Sequence, residues 1–289
     1  MSGSDILFIV NPISGNRKRK RKIIRLLESR GYRTVYSQYP SHAAELAREA
    51  SQGTVVAVGG DGTVNEVASG IASSGKKLGI IPCGSGDGLA IHLGIKGSPR
   101  RLLKIIEEGC TTKLDCCEIN GKPFFSVCGT GLDAIVSERF AKNGKRGLST
   151  YIKEALNTWR EFTPDTYTKV IDSDEPFTVQ AAMVTVGNSN QWGNGARIAP
   201  RAKSDDGVLD ITIVRMFRNI EIPMLVWRLM RGTIDRSGKV DCYRGRNIVL
   251  KHVLPYPAHC DGDFIEEGKE LRISVTDAEL DVIVPKKAG

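Results

Sequence analysis

A chain of 289 residues, 40% hydrophobic and 26% charged, is long enough for two ordinary domains with full cores. It shows no apolar run of membrane-spanning length and no charged-then-apolar leader. Its seven cysteines include no Cys-x-x-Cys pair, so reduced thiols in a cytoplasmic protein are expected instead of a disulfide or zinc framework. A net charge of +8 and a pI near 9.1 point to an anionic partner, either nucleic acid or phosphate ligands and anionic membrane.

In chain order, a strand at 5–10 ends in Asn11-Pro12-Ile13-Ser14-Gly15, and a helix follows through residue 28. Its start, 17–22, is Arg-Lys-Arg-Lys-Arg-Lys: a solvated face or a surface that draws phosphate or anionic lipid. No aromatics interleave with these cations as they do in single-strand binders, and no nucleic-acid partner is expected. A strand at 33–37 leads to a helix at 43–51. The apolar run 54–58 then feeds Gly59-Gly60-Asp61-Gly62-Thr63 and a helix to residue 73. A strand at 77–81, a second glycine loop at 82–88 and a short helix at 89–93 complete the alternation, which implies a parallel sheet flanked by helices.

From about residue 123 the pattern becomes strands with period-2 alternation at 124–128, 167–171, 177–186, 208–214, 240–253 and 271–284. Helical stretches at 149–162 and 219–232 interrupt them. The expectation is an α/β domain with glycine-rich loops over 1–122, followed by an all-β sandwich over 123–289.

Glycines after strands let backbone amides approach a phosphate, and a helix start adds unpaired N–H groups and partial positive charge. Loops after parallel strands gather at the carboxyl edge of the sheet, so 11–15, 59–63 and 84–88 are expected to face one crevice. Asp61 inside such a loop would repel an anion unless a metal ion or proton transfer is involved. The ligand-free alternative is a tight strand-to-helix turn. The four histidines are not spaced as a metal site, and His92 reads as structural.

Seven elements in order resemble the diacylglycerol kinase and sphingosine kinase superfamily of lipid kinases. They are Asn11-Pro12-x-Ser14-Gly15, Gly59 to Thr63 with Asn65-Glu66, Ile81 to Ala90, and Gly129-Thr130-Gly131-Leu132-Asp133. Gly187-Asn188, Ala199-Pro200 with Asp206-Gly207, and Asp261-Gly262-Asp263 complete the set. The resemblance implies ATP- and Mg²⁺-dependent phosphorylation of a lipid hydroxyl, with the active site in an interdomain cleft. It implies nucleotide contacts from Asn11, Ser14, Gly59, Gly60, Gly62, Thr63, Glu66, Gly84, Ser85 and Gly86. It also implies carboxylate chemistry at Asp133, Asp263 and Asp61, and a metal held by Asp206 with the carbonyls of Lys203 and Val208.

Two residues depart from the family pattern: Asp87 stands where Asn is usual, and Asp263 where Glu is usual, with Glu266 or Glu267 as nearby substitutes. A helical face of Tyr151, Ile152, Ala155, Leu156, Trp159 and Phe162, together with the apolar stretch 222–230 and its arginines, reads as core or as an acyl-chain gate. The expected partners are a lipid alcohol (a sphingoid base slightly ahead of diacylglycerol), a transient anionic membrane surface at the periphery of the cytoplasm, and a second copy in a homodimer. The alternatives are a kinase of the NAD kinase type, a silent nucleotide- or lipid-binding homologue, and a basic nucleic-acid binder.

Overall fold

The computed structural model describes residues 5–142, 155, 157–172 and 174–286. Two compact units emerge. One runs to Cys116 and resumes at Asp277; the other spans Cys117–Thr276. The expected boundary at 122/123 thus falls slightly earlier, and the last segment returns to the first unit.

The first unit is built on β1 (Ile6–Val10), β2 (Arg33–Tyr36), β3 (Thr54–Gly59) and β4 (Lys77–Pro82). They pair in parallel in the order β4-β3-β1-β2. β1 and β3 are buried along their whole length, as a parallel strand covered on both faces must be. Helices α1 (Arg17–Ser29), α2 (His42–Glu49), α3 (Asp61–Ile71), α4 (Gly88–His92) and α5 (Pro99–Glu108) follow the strands. α1 packs with α5 and α2 with α3. α5 was not anticipated, although Ser98 caps it, Pro99 opens it and Gly109 closes it in the left-handed conformation.

β5 (Thr111–Ile119) leads into the second unit, which contains β6 (Lys122–Phe124), β7 (Val127–Gly131), α6 (Leu132–Lys142), β8 (Asp165–Ile171), β9 (Phe177–Ala181) and β10 (Met183–Gly187). β11 (Leu209–Val214), α7 (Ile222–Arg231), β12 (Val240–Gly245), β13 (Asn247–Cys260) and β14 (Asp263–Ile283) follow. Two layers share β13. Its end pairs β7 in the run β12-β11-β10-β7, and its beginning pairs β8, which carries β9. Val184, Ile211 and Ile213 from one layer meet Ile171, Leu250 and Ile273 from the other in one buried cluster. The sandwich follows from strands that are apolar on the face they bury.

β14 belongs to both units. Near its start it forms the hairpin with β13, and at Asp281 and Val282 it adds in parallel to Lys77 and Leu78 of β4. No helix among the described residues is long and apolar enough to cross a membrane.

Candidate active site

The three glycine-bearing loops of the first unit are tied to one another by backbone. Asn16 N donates to Cys83 O (2.8 Å), and Cys83 N donates to Gly59 O (2.7 Å). Gly15 sits at φ +76°, and a Cβ there would lie 1.8 Å from Cys83 O; only glycine fits. Gly60 and Gly84 also approach closely, since a Cβ on Gly84 would stand 2.8 Å from Gly60 Cα.

Side chains then lock this frame. Asn11 Oδ1 accepts from Ile13 N and Ser14 N. Lys20, expected on a solvated basic face, is buried instead, and its ammonium donates to the carbonyls of Asn11 (2.7 Å), Pro12 (2.7 Å) and Ser14 (2.5 Å). Burial holds that ammonium below the usual lysine range.

Asp61, expected as a reactive acid, holds backbone of the neighbouring loop. Its two oxygens accept from Asp87 N (2.9 Å) and Gly88 N (2.8 Å), at the start of α4. Each oxygen thus carries one backbone amide, which ties the 59–63 loop to the start of α4. Glu66 likewise holds backbone: it accepts from Ser41 N and Ala43 N and caps α2, whose own cap residue makes no side-chain bond. Asp87 Oδ1 accepts from Gly84 N at 2.8 Å. Burial pushes the Asp87 carboxyl up to about 6, against the pull of the Gly84 amide and of nearby Arg19. An arginine therefore offsets part of the extra negative charge that this position brings.

The frame leaves particular groups uncommitted. No side chain caps α3, which begins directly after Gly60. The hydroxyls of Thr63 and Ser14 are buried without a hydrogen-bond partner. Gly62 lies in the first turn of α3, and Ser85 is exposed with Gly86 half-buried beside it.

In the second unit Asp133 opens α6 directly after β7, with its side chain 2% exposed. Its Oδ2 accepts from Thr185 Oγ1 (2.9 Å) and lies 3.1 Å from His259 Nε2; its Oδ1 accepts from Ala134 N. His259 Nδ1 is buried without a partner, so the imidazole bonds through Nε2 alone. Sequence reasoning passed over this pair because 126 residues separate its members. The signal that could have found it is the period-2 pattern around His259, which turns it away from the sandwich core.

Asp261 is structural. Its carboxylate accepts from the amides of Phe125, Ser126 and Val127 and pins the β13–β14 turn, where Asp261 and Gly262 both have positive φ. Asp263 is exposed and pairs with Cys260, whose side chain belongs to the sandwich core. Alternation sends His259 and Cys260 to opposite faces, so Asp263 does not share the face of the Asp133–His259 pair. The side chains of Glu266 and Glu267 lie outside the described residues.

The expected metal donors are arranged otherwise. Asp206 Oδ2 lies 2.5 Å from Arg244 Nη2, and its Oδ1 accepts from Val208 N (3.3 Å). Arg244 also lies 3.4 Å from Asp210, which burial pushes above the ordinary carboxylate range. With a guanidinium on one oxygen and an N–H on the other, Asp206 could take a cation alongside Lys203 and Val208 only by sharing or displacing Arg244. Among the described residues no cluster of three or more His, Cys, Asp or Glu side chains is grouped to hold a metal.

A cavity of about 340 Å³ is lined by Ile135 and Arg139 of α6 and by Thr158, Phe162, Pro164 and Asp165. Of the expected apolar gate, Tyr151, Ile152 and Leu156 lie outside the described residues. Trp159 stacks on Phe217 with centroids 3.9 Å apart and donates to Asn219 Oδ1 (2.6 Å).

The diacylglycerol kinase catalytic domain family matches residues 5–119, and the YegS C-terminal NAD kinase beta sandwich-like domain family matches 126–284. With these two domains in tandem, the chain belongs to the diacylglycerol kinase family of lipid kinases. A protein named diacylglycerol kinase from Mycobacterium tuberculosis is 28% identical over 96% of this chain and 94% of its own length. One of the same name from Staphylococcus epidermidis is 29% identical over 96% and 91%. Among solved structures, a diacylglycerol kinase from Bacillus anthracis shares the fold, with a TM-score of 0.72 at 17% identity over 98% of this chain and 97% of that one. An NAD kinase from Archaeoglobus fulgidus in complex with ATP shares it more distantly, with a TM-score of 0.53 at 13% identity over 96% and 93%.

Proposed function

We propose that this protein is an ATP-dependent kinase that phosphorylates the hydroxyl of a membrane lipid. Diacylglycerol stands ahead of a sphingoid base, because the relatives matched over almost the whole chain carry the name diacylglycerol kinase. That order reverses the slight preference drawn from the Gly84-Ser85-Gly86 segment.

The observation that carries the reading is the uncapped start of α3 with the buried, unpartnered hydroxyl of Thr63, set in loops that Gly15, Gly60 and Gly84 allow to close on one another. Unpaired amides and a hydroxyl at a helix N-terminus suit a polyphosphate. Asn11, Ser14, Gly59, Gly62, Ser85 and Gly86 line the same three loops. Asp61 and Lys20 act one step back by holding the loops in place, and Glu66 by tying α3 to the start of α2.

Phosphoryl transfer further requires a carboxylate within reach of the acceptor hydroxyl. Asp263, the exposed one of the two expected carboxylates, is assigned to take that proton, on a face apart from the Asp133–His259 pair. Asp133, buried and hydrogen-bonded by Thr185 and His259, is held in one orientation at the start of α6. No step is routed through a cation at Asp206.

Radiolabelled ATP offered with diacylglycerol, sphinganine, monoacylglycerol and NAD tests the reading. Label in diacylglycerol is expected. Label in no lipid overturns it, and label in NAD installs the NAD kinase alternative. Asp263→Asn should lower kcat by about 10²–10⁴ with KM for ATP unchanged; retained turnover removes Asp263 from its role.

A further inference from the structure

α7 is apolar on the side it buries and also on the side it shows. Leu225 is its one buried residue, and Leu229 packs half-buried against the same cluster. On the outer face Met224 is 55% exposed, Trp227 53% and Met230 46%, and Val226 is exposed beside them. Ile220, one turn upstream, is 80% exposed. Residues 220, 224, 227 and 230 fall at i, i+4, i+7 and i+10, so they form one stripe. A helix that is apolar all round is ordinarily buried in a core or in lipid, and a stripe of this size on a surface calls for an occupant.

The surrounding charge identifies the occupant. Between Arg215 and Lys239 the chain carries six basic residues and two acidic ones. The two acids, Glu221 and Asp235, are already paired, with Lys239 and Arg201 respectively. Arg218 is exposed although it lies 3.8 Å from Glu221, Arg215 is paired with Asp241, and Arg231 leans over the Trp227 ring, 5.3 Å from its centroid. Tryptophan and methionine flanked by arginines match the boundary between headgroups and acyl chains, where an indole is at home and a guanidinium meets lipid phosphate. A second protein molecule would bring no general reason for so one-signed a rim.

We infer that the outer face of α7, Ile220–Met224–Trp227–Met230 with Arg218, Arg228 and Arg231, is a docking surface for an anionic lipid bilayer. This deepens the lipid-kinase reading, since it says by which face the protein meets the layer that holds its substrate. The docking itself is measurable without any phosphoryl transfer. The stack of Trp159 on Phe217, with the bond to Asn219, braces the chain that enters the helix, so the stripe is presented on a supported element.

Co-sedimentation of the full chain with vesicles of equal parts phosphatidylglycerol and phosphatidylcholine tests the inference, with pure phosphatidylcholine as the comparison. The wild type should bind the anionic vesicles at least tenfold more tightly, with a blue shift of tryptophan emission that Trp227→Phe removes. Met224→Gln with Trp227→Gln should weaken binding about tenfold, and Arg228→Glu with Arg231→Glu should erase the anionic preference. Melting temperatures should not move, because the apolar pair is exposed. Variants that bind vesicles as well as the wild type would overturn the assignment. So would a wild type that ignores vesicles, or one whose dimerisation, measured by sedimentation equilibrium, is lost with Trp227→Gln. A short-chain diacylglycerol dissolved as monomers separates the two claims. Its phosphorylation should survive Trp227→Gln, and its failure in the wild type while vesicle binding persists would remove the kinase reading and leave the surface standing.

Discussion

The two units use carboxylates in opposite ways. In the α/β unit, Asp61, Glu66 and Asp87 all accept from backbone amides, while the hydroxyls of Thr63 and Ser14 are buried without a partner. In the β unit, Asp133 is held by side chains, Thr185 and His259, while Asp263 stands exposed at a hairpin tip. A site made of backbone needs acids as scaffolding, because only glycine-lined main chain can approach a phosphate closely. A site for proton transfer needs the acid itself. The contrast predicts that substitutions in the first unit act on stability and nucleotide KM, and those in the second on turnover.

The largest effect should come from Gly15→Ala. Its new Cβ would collide with the Cys83 carbonyl at a positive φ, and a loss of about 3 kcal/mol of stability is expected by denaturant unfolding. A melt unchanged from wild type would mean that the loops are not locked as described. Asp61→Asn removes a charged acceptor from two amides and should cost about 2 kcal/mol. It should raise KM for ATP while sparing kcat; the reverse pattern in steady-state kinetics would return Asp61 to the chemistry and dissolve the contrast.

His259→Leu leaves Asp133 without one of its donors in a buried site, at about 1–2 kcal/mol. It should lower turnover and displace the pH–rate profile, with His259→Gln restoring most of both because its amide can still donate. Equal behaviour of Leu and Gln would make the histidine mere packing.

The last prediction concerns Asp87→Asn. The folded carboxyl titrates near 6, above the ordinary 3.8, so the folded state disfavours its charge, and stability is lost as pH rises between those values. Asparagine removes that loss. Its melting temperature should exceed wild type above about pH 6 and match it below about pH 4, and a gain at low pH alone would contradict the sign.

Much of the α/β unit was legible because its signals are local: an apolar run, a glycine loop and a helix start lie within fifteen residues of one another. The same local grammar announced α5 through Ser98, Pro99 and Gly109, yet without a glycine motif it drew no attention. What stayed hidden depends on pairing at a distance. Lys20 reads as one more cation in a basic run until the 11–14 loop folds over it. The 177–186 run reads as one strand but breaks at Ala182, so that β9 joins β8 while β10 joins β7 and β11. Asp133 and His259 meet only through the β7–β13 ladder. The Asp206–Arg244 pair joins the loop before β11 to β12, beyond the reach of a motif that ends at Val208.

The return of β14 to β4 has a consequence for how the chain is made. During synthesis, β4 emerges with one flank open and waits for some two hundred further residues before Asp281 and Val282 arrive to cover it. A fragment ending at Cys116 would keep that flank bare, an invitation to pair with its neighbours and precipitate. Supplied in trans, a peptide spanning 277–286 is the natural remedy, and its power to keep such a fragment in solution would measure what the last strand contributes.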